Sequence, residues 1–249
     1  MFYKRKTAKK VIVSGGLTDA LYAVFPGVEQ GLVGGMQVQV GADELVWFAV
    51  ESALDMAAEG EYTLLPELIP QVAAALALPE VWEKRQLIPA ACGFISTRSC
   101  DGAWRNDTQF LGRDPLDGLL RFTASGSYTY RICDNALYCA SVRGGAVPAL
   151  CSGIEAQLSA CAAAAFADII TDRPLHLRSL DAQCLELAEE LRLQLEAQAA
   201  QLGLAVPQMQ LQLHLAESSK PMLDAAYPQQ ACFNAHVKEV FGAAAAAEE

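Results

Sequence analysis

The amino-acid sequence predicts an α+β protein in which a β-rich subdomain is followed by a strand-helix-helix-strand subdomain. Three observations carry that prediction. Residues 125–133, Ser-Gly-Ser-Tyr-Thr-Tyr-Arg-Ile-Cys, are dense in β-forming side chains and put Tyr128, Tyr130 and Ile132 on one face. Two long stretches then repeat apolar residues at three- and four-residue intervals, the spacing of a helix with one buried stripe. Finally, Met209, Leu211, Leu213 and Leu215 alternate with Gln208, Gln210, Gln212 and His214, as a strand buried on one face requires. Strand, helix, helix and strand in this order place both helices on the sheet that the strands share.

Bulk properties bound the class. At 249 residues the chain can bury a sizeable core, as one large domain or as two closely packed subdomains. A hydrophobic share of 53% against 19% charged residues excludes a disordered chain and calls for a packed interior. The formal net charge of −11 repels phosphate backbones, so nucleic acid is not an expected partner. The eight cysteines are Cys92, Cys100, Cys133, Cys139, Cys151, Cys161, Cys184 and Cys232. They form no C-x-x-C pair, which argues against a zinc ribbon or a thioredoxin-type motif. Reduced thiols in a cytoplasmic protein account for them most simply.

Residues 1–35 read as a basic N-terminal segment and lead-in. Lys4, Arg5, Lys6, Lys9 and Lys10 crowd the first ten positions beside Phe2 and Tyr3, while every acidic residue lies further along. Two readings stand. One is a solvated, frayed terminus. The other is contact with an anionic membrane surface, where each basic side chain contributes about 1 kcal/mol before ordering costs. No transmembrane span is expected, because the apolar stretch 11–33 is broken by Asp19, Pro26, Glu29 and several glycines. The same interruptions fit a signal peptide poorly, and Phe2 stands where N-myristoylation requires glycine. Membrane contact is therefore expected to be peripheral.

Residues 36–147 form the expected β-rich subdomain. Met36, Val38 and Val40 alternate with glutamines, Gly41-Ala42-Asp43 makes a turn, and 45–50 are apolar, which together read as a hairpin. A short strand is expected over 60–65, ended by Pro66, and a helix within 68–84, limited by Pro70 and Pro79. Residues 92–110 read as strands joined by turns. Arg113-Asp114-Pro115 reads as a turn or a partly buried ion pair, leading through Gly118 into strands over 119–122 and 125–133.

Residues 148–218 form the second subdomain. After a loop at Gly144-Gly145, Ser152 and Glu155 have capping-box spacing. Ile154, Leu158, Cys161, Ala165 and Ile169 make the stripe of the first helix, which Pro174 stops. The second helix covers 179–202, with Asp181 near its N-terminal dipole and Gly203 as the residue that ends it. Its stripe of Leu180, Cys184, Leu187, Leu191, Leu195 and Leu202 is widened by Leu185 and Leu193. Residues 219–249 read as a C-terminal tail finishing in a low-complexity run of alanines.

The chemistry-bearing residues form no catalytic or ligand constellation. His176, His214 and His236 lack metal-ligand spacing, and His214 shares its strand face with glutamines. No G-x-S-x-G elbow is present. The pairs Gly15-Gly16, Gly34-Gly35 and Gly144-Gly145 match neither the dinucleotide fingerprint nor the P-loop. No catalytic residue, metal or cofactor is expected, and the class that remains is a non-enzymatic binding or assembly protein.

Several segments together carry a family resemblance. Gly112-Arg113-Asp114-Pro115 precedes Gly126-Ser127-Tyr128-Thr129-Tyr130-Arg131-Ile132-Cys133-Asp134, and a helix-helix-Gly203-Leu204-strand unit follows. Earlier, Met36-Gln37-Val38-Gln39-Val40-Gly41 leads to Gly60-Glu61-Tyr62-Thr63-Leu64. This arrangement resembles the SPFH or Band 7 (stomatin–prohibitin–flotillin) family, closest to its soluble bacterial, virion-core-like branch. There an R-D segment precedes a G-x-Y-x-[YF]-R-I-x-D strand. The resemblance implies an SPFH-like α+β domain that self-associates and recruits protein partners at the cytoplasmic membrane surface, in the setting of envelope stress. It implies structural roles for Arg113, Asp114, Gly126, Tyr128, Tyr130, Arg131 and Asp134, and no catalytic residues. Membrane-anchored relatives carry a hydrophobic N-terminal segment and a long coiled coil, for which this sequence shows a lysine-rich run and a short tail. The alternative expectation is a soluble adaptor that binds one protein partner without touching lipid.

Overall fold

A computed structural model describes residues 11–13, 17–25, 32–78, 87–114, 118–171, 173–176, 179–219 and 221. Phe2, Tyr3, Lys4, Arg5, Lys6, Lys9 and Lys10 lie outside the described residues, as do Cys232 and His236. The described residues fall into two compact units. Unit one draws on Met1–Cys100, Tyr130–Ala156 and Ala199–Ala205; unit two on Asp101–Thr129, Gln157–Gln198 and Val206–Glu249. The units interleave along the chain.

Unit one begins with short strands. These are β1 (Val11–Val13), β2 (Tyr22–Val24), β3 (Leu32–Val33), β4 (Gln37–Val40), β5 (Glu44–Val50), β6 (Ala53–Ala57) and β7 (Gly60–Thr63). Helix α1 (Pro70–Ala75) and strands β8 (Leu87–Ile88) and β9 (Ala91–Ser96) follow. They form sheets of order β1-β4-β7, β2-β9-β5-β6 and β3-β8.

The expected hairpin between 36–40 and 45–50 does not form. Instead, β4 pairs with β7, Val38 opposite Tyr62, while β5 lies between β9 and β6. The reason is in the side chains. Residues 46–49 of β5 are buried without alternation, so both of its faces need cover and both of its edges need partners. Strand β4 alternates, and its outward glutamines find polar partners on β7: Gln37 Nε2 donates to Thr63 Oγ1 at 3.0 Å and Gln39 Nε2 to Glu61 Oε1 at 3.2 Å. Asp43, at φ +57°, turns the chain from one sheet to the other.

The core of unit one gathers Ile12, Val38, Val46, Phe48, Leu64, Ile69, Val72, Ile88 and Phe94. A buried carboxylate sits beside it. Helix α1 has no side-chain cap of its own at Ile69, and Asp55 of β6 supplies one from outside the helix. Its Oδ2 accepts from Val72 N at 2.7 Å and its Oδ1 from Gln71 N at 3.2 Å. Asp55→Ala leaves two helix N–H groups without partners and is expected to cost about 2 kcal/mol. Urea denaturation checks this: the midpoint should fall without a change in slope, and an unchanged midpoint contradicts the role.

Burial keeps several groups in unit one protonated, Cys92, Cys139 and Tyr22 among them. Cys92 is pushed up to about 12 by burial, and Cys139 to about 12 by burial against a small opposing pull from Arg143. Tyr22 is pushed up to about 12 by burial first and by Cys139 next. In the unfolded chain, thiols ionise near pH 8.5 and phenols near pH 10. The unfolded state therefore sheds these protons first, and stability falls as pH rises from about 8.5 to about 12. Calorimetry should show a Tm that declines steadily above about pH 9, with a shallower decline in Cys92→Ala. A flat Tm across that window contradicts the assignment.

Unit two is built on a further three-stranded sheet. Strands β10 (Cys100–Asp114), β11 (Gly118–Ile132) and β12 (Leu204–Leu215) lie in that order. Helices α2 (Asn135–Arg143), α3 (Cys151–Ile170) and α4 (Leu180–Ala200) occur between β11 and β12 in the chain. Strands β11 and β12 run antiparallel, since Arg121 meets Ala216 and Ser125 meets His214 further along. The two strands expected over 119–122 and 125–133 are one continuous strand. Pro207, expected to precede the last strand, lies within β12, an edge strand where a missing N–H is tolerated.

Phe166 of α3 seats that helix on the sheet. Its ring lies 5.5 Å from Trp104 and 5.3 Å, edge-on, from Phe110, which in turn stacks on Phe122 at 5.8 Å. The α3 stripe runs Ile154, Leu158, Ala162, Phe166 and Ile170, with Ala165 beside it, so it drifts from the expected Cys161 and Ile169, which are half-buried. Ser152 does not cap the helix. The helix already includes Cys151, and Ile154 N bonds the Leu150 carbonyl at 3.2 Å. Among the described residues, α3 is the one helix long and apolar enough to cross a membrane; its four-residue burial rhythm is that of a helix packed on a sheet.

On α4 the buried stripe is Leu187, Ala188, Leu191, Leu195 and Ala199. Leu185 and Leu193 do not widen it; they are 75% and 54% exposed, on the acidic face. Arg192 organises that face by contacting Glu189 at 2.7 Å and Glu196, while its Nη1 also reaches the Val206 carbonyl at 3.4 Å.

Candidate functional site

The candidate residues of motif strand β11 and its surroundings are described unit by unit. In unit two, Arg113 and Asp114 close β10 instead of making a turn. Adjacent residues of a strand face opposite ways; accordingly Asp114 is buried and Arg113 exposed, its carbonyl accepting from Leu175 N at 3.3 Å.

Gly126 is required by close approach. A Cβ there would stand 2.0 Å from the Gln210 carbonyl oxygen and 2.5 Å from Trp104 Nε1. Tyr128 covers another glycine, because a Cβ on Gly102 would lie 2.5 Å from its ring. A strand glycine shielded by an aromatic ring loses little packing surface. His214, expected to be solvated on the polar face, is exposed and its Nε2 shares a hydrogen bond of 2.7 Å with Ser125 Oγ.

In unit one, Tyr130 is fully buried and its hydroxyl donates to Glu155 Oε1 at 3.3 Å. Arg131 is exposed. Asp134 caps α2, its Oδ1 accepting from Leu137 N at 2.9 Å. Helix α2 is short and escapes a search for long apolar repeats. Gly203 packs against this cap: its carbonyl accepts from Cys133 N at 2.9 Å and from Asp134 N at 3.2 Å. Its φ is +79°, and a Cβ would fall 2.6 Å from both the Asp134 carbonyl and Tyr138 N.

A polar cluster missed in the sequence surrounds Tyr130. Glu155 accepts from its hydroxyl, and Cys151 and Cys100 act on it electrostatically. Burial first, and then Cys151, Cys100 and Glu155, push the Tyr130 phenol far above its ordinary range. Its members come from three distant segments, so no local spacing signals it. Among the described residues, no group of three or more His, Cys, Asp or Glu is placed to hold a metal ion.

Family comparison bears on the same segments. A family model described as SPFH domain-Band 7 family matches residues 24–230. The chain belongs to the SPFH domain-Band 7 family. No curated protein matches it. The matched region of this SPFH chain contains all of β10, β11 and β12, both glycine–aromatic contacts, and the Asp134–Gly203 junction. The basic residues at positions 4–10 precede it. The α+β architecture agrees with the family assignment.

Proposed function

We propose that this SPFH chain is a non-enzymatic scaffold of the soluble bacterial, virion-core-like branch. It self-associates and recruits protein partners at the inner face of the cytoplasmic membrane, in response to envelope stress. The observation that carries the reading is the family match over 24–230. The packing of the motif strand supports it, since Gly126, Tyr128, Tyr130 and Asp134 are spent on internal contacts, leaving partner choice to other surfaces. Self-association is supported by the leucines exposed in unit two, Leu111 and Leu119 on the sheet and Leu185 and Leu193 on α4. Membrane contact rests on the charge of the first ten residues, five of them basic.

Flotation with anionic vesicles, using the full chain and a chain lacking residues 1–10, tests the membrane half. Binding by the full chain that weakens with salt, and is lost in the shorter chain, is expected. Equal and salt-insensitive behaviour of the two overturns it. Light scattering tests self-association: a mass several times 26.6 kDa is expected, and a strict monomer holding one stoichiometric protein partner identifies a soluble adaptor instead.

A further inference from the structure

Unit two carries two pairs of exposed leucines, each set among charges of one prevailing sign. The first pair lies where β10 ends and β11 begins. Burial alternates there: Gly112, Asp114, Leu120 and Phe122 are buried, while Leu111, Arg113, Leu119 and Arg121 are exposed on the other face. Only residues 115–117 separate the two strands in the chain, and Phe110 stacks on Phe122 at 5.8 Å, so the four exposed side chains share one patch. Both leucines are 63% exposed. Among the described residues, neither guanidinium of the patch makes an ion pair. The second pair is Leu185 and Leu193 on α4. Asp181, Glu186, Glu189, Glu190 and Glu196 accompany it along the helix, and among the described residues only Arg173 and Arg192 pair with them. Negative charge is therefore left in excess on that face.

We propose that the Leu–Arg patch of one copy docks on the leucine-bearing acidic face of α4 in a second copy, as a head-to-tail contact. The inference rests on the self-association reading and names the surfaces that carry it. Charge decides between the arrangements open to these leucines. A two-fold contact sets a patch against itself, which gathers guanidiniums together at the sheet, or carboxylates together at α4. Pairing the unlike patches covers the leucines of both and brings Arg113 and Arg121 to the excess carboxylates. The patches also look in different directions. Phe166 of α3 covers the buried side of β10 and β11, and the Leu–Arg patch is on the other side. The acidic face turns away from the buried stripe of Leu187, Leu191 and Leu195. Each copy can give one patch and receive at the other, so the contact repeats until it closes into a ring or continues as a filament.

Light scattering on the full chain tests this with two variants. Arg113→Glu with Arg121→Glu breaks the first patch. Leu185→Lys with Leu193→Lys breaks the second and leaves the ion pairs of Arg173 and Arg192 in place. Each variant alone is expected to lose at least about tenfold in self-association with an unchanged Tm. An equimolar mixture should reassemble, because the arginines of one variant still meet the unaltered α4 of the other. Two results overturn the contact while leaving the scaffold reading intact: a variant that assembles like the parent, or a mixture that stays dissociated. If the arginine variant assembles normally but no longer floats with anionic vesicles, the patch binds lipid and the proposal fails. A parent that is itself monomeric overturns both readings. The unaltered protein gives a further check that requires no variant to fold. Raising NaCl from about 0.05 M to about 1 M should lower its assembled mass, and a mass that salt leaves unchanged overturns the contact.

Discussion

Gly126→Ala is expected to destabilise the protein by about 3 kcal/mol, the upper end of ordinary overpacking, and to lower Tm by roughly 6–12 °C. The added methyl meets two obstacles, the Gln210 carbonyl oxygen at 2.0 Å and Trp104 Nε1 at 2.5 Å. They differ in how they yield. The indole is a side chain, although it is 2% exposed and wedged against Phe166. The carbonyl belongs to the backbone of β12 and moves only if the strand moves. Because the shorter contact is to the backbone, removing the indole should not help. Trp104→Phe combined with Gly126→Ala is expected to be no more stable than Gly126→Ala alone. Recovery of Tm in the double variant would show that the indole is the obstacle. Ser127→Ala, at the exposed neighbouring position, should stay within about 0.5 kcal/mol.

Elements whose signal is local were legible in the sequence. Alternation along 36–40 and 209–215 located β4 and β12, the Tyr-Thr-Tyr run located β11, and Gly203 marked the end of α4 as its φ of +79° requires. Pairing was not legible. The turn at 41–43 suggested a hairpin, yet the apolar run of β5 could bury both faces only between β9 and β6. Helix faces were legible to within one position: a four-step repeat of four residues on α3 drifts from a mixed three-and-four pattern, and Leu185 and Leu193 showed apolar character but not exposure. The site divides the same way. Gly126 and Asp134 stood out as motif residues, but their tasks, admitting Trp104 and receiving Gly203, depend on partners distant in the chain. The Tyr130–Glu155 hydrogen bond carried no signal at all, because it joins a strand to a helix 25 residues further along.

The strand glycine that admits an indole recurs in unit one, and there it sets the second large effect. Gly93 of β9 faces Val24 of β2 on one side and Trp47 of β5 on the other. A Cβ would lie 1.9 Å from the Ala23 carbonyl oxygen and 2.7 Å from Trp47 Cζ2. Strand β9 cannot retreat from β2 without closing on β5, and Trp47, 1% exposed, is stacked on Tyr22 at 5.2 Å. Gly93→Ala is therefore expected to cost about 3 kcal/mol or more and to change the near-ultraviolet dichroism of the Tyr22–Trp47 stack. Amide exchange shows how the strain is released. Strand β2 is at the edge, so its amides should exchange faster in the variant while the β5–β6 ladder stays protected. Equal acceleration across β2, β5 and β6 would mean that the methyl lowers the stability of the whole unit and not only the attachment of its edge. A Tm within about 2 °C of the parent would show that β2 gives way at almost no cost, and that the packing of Gly93 is not what holds that edge.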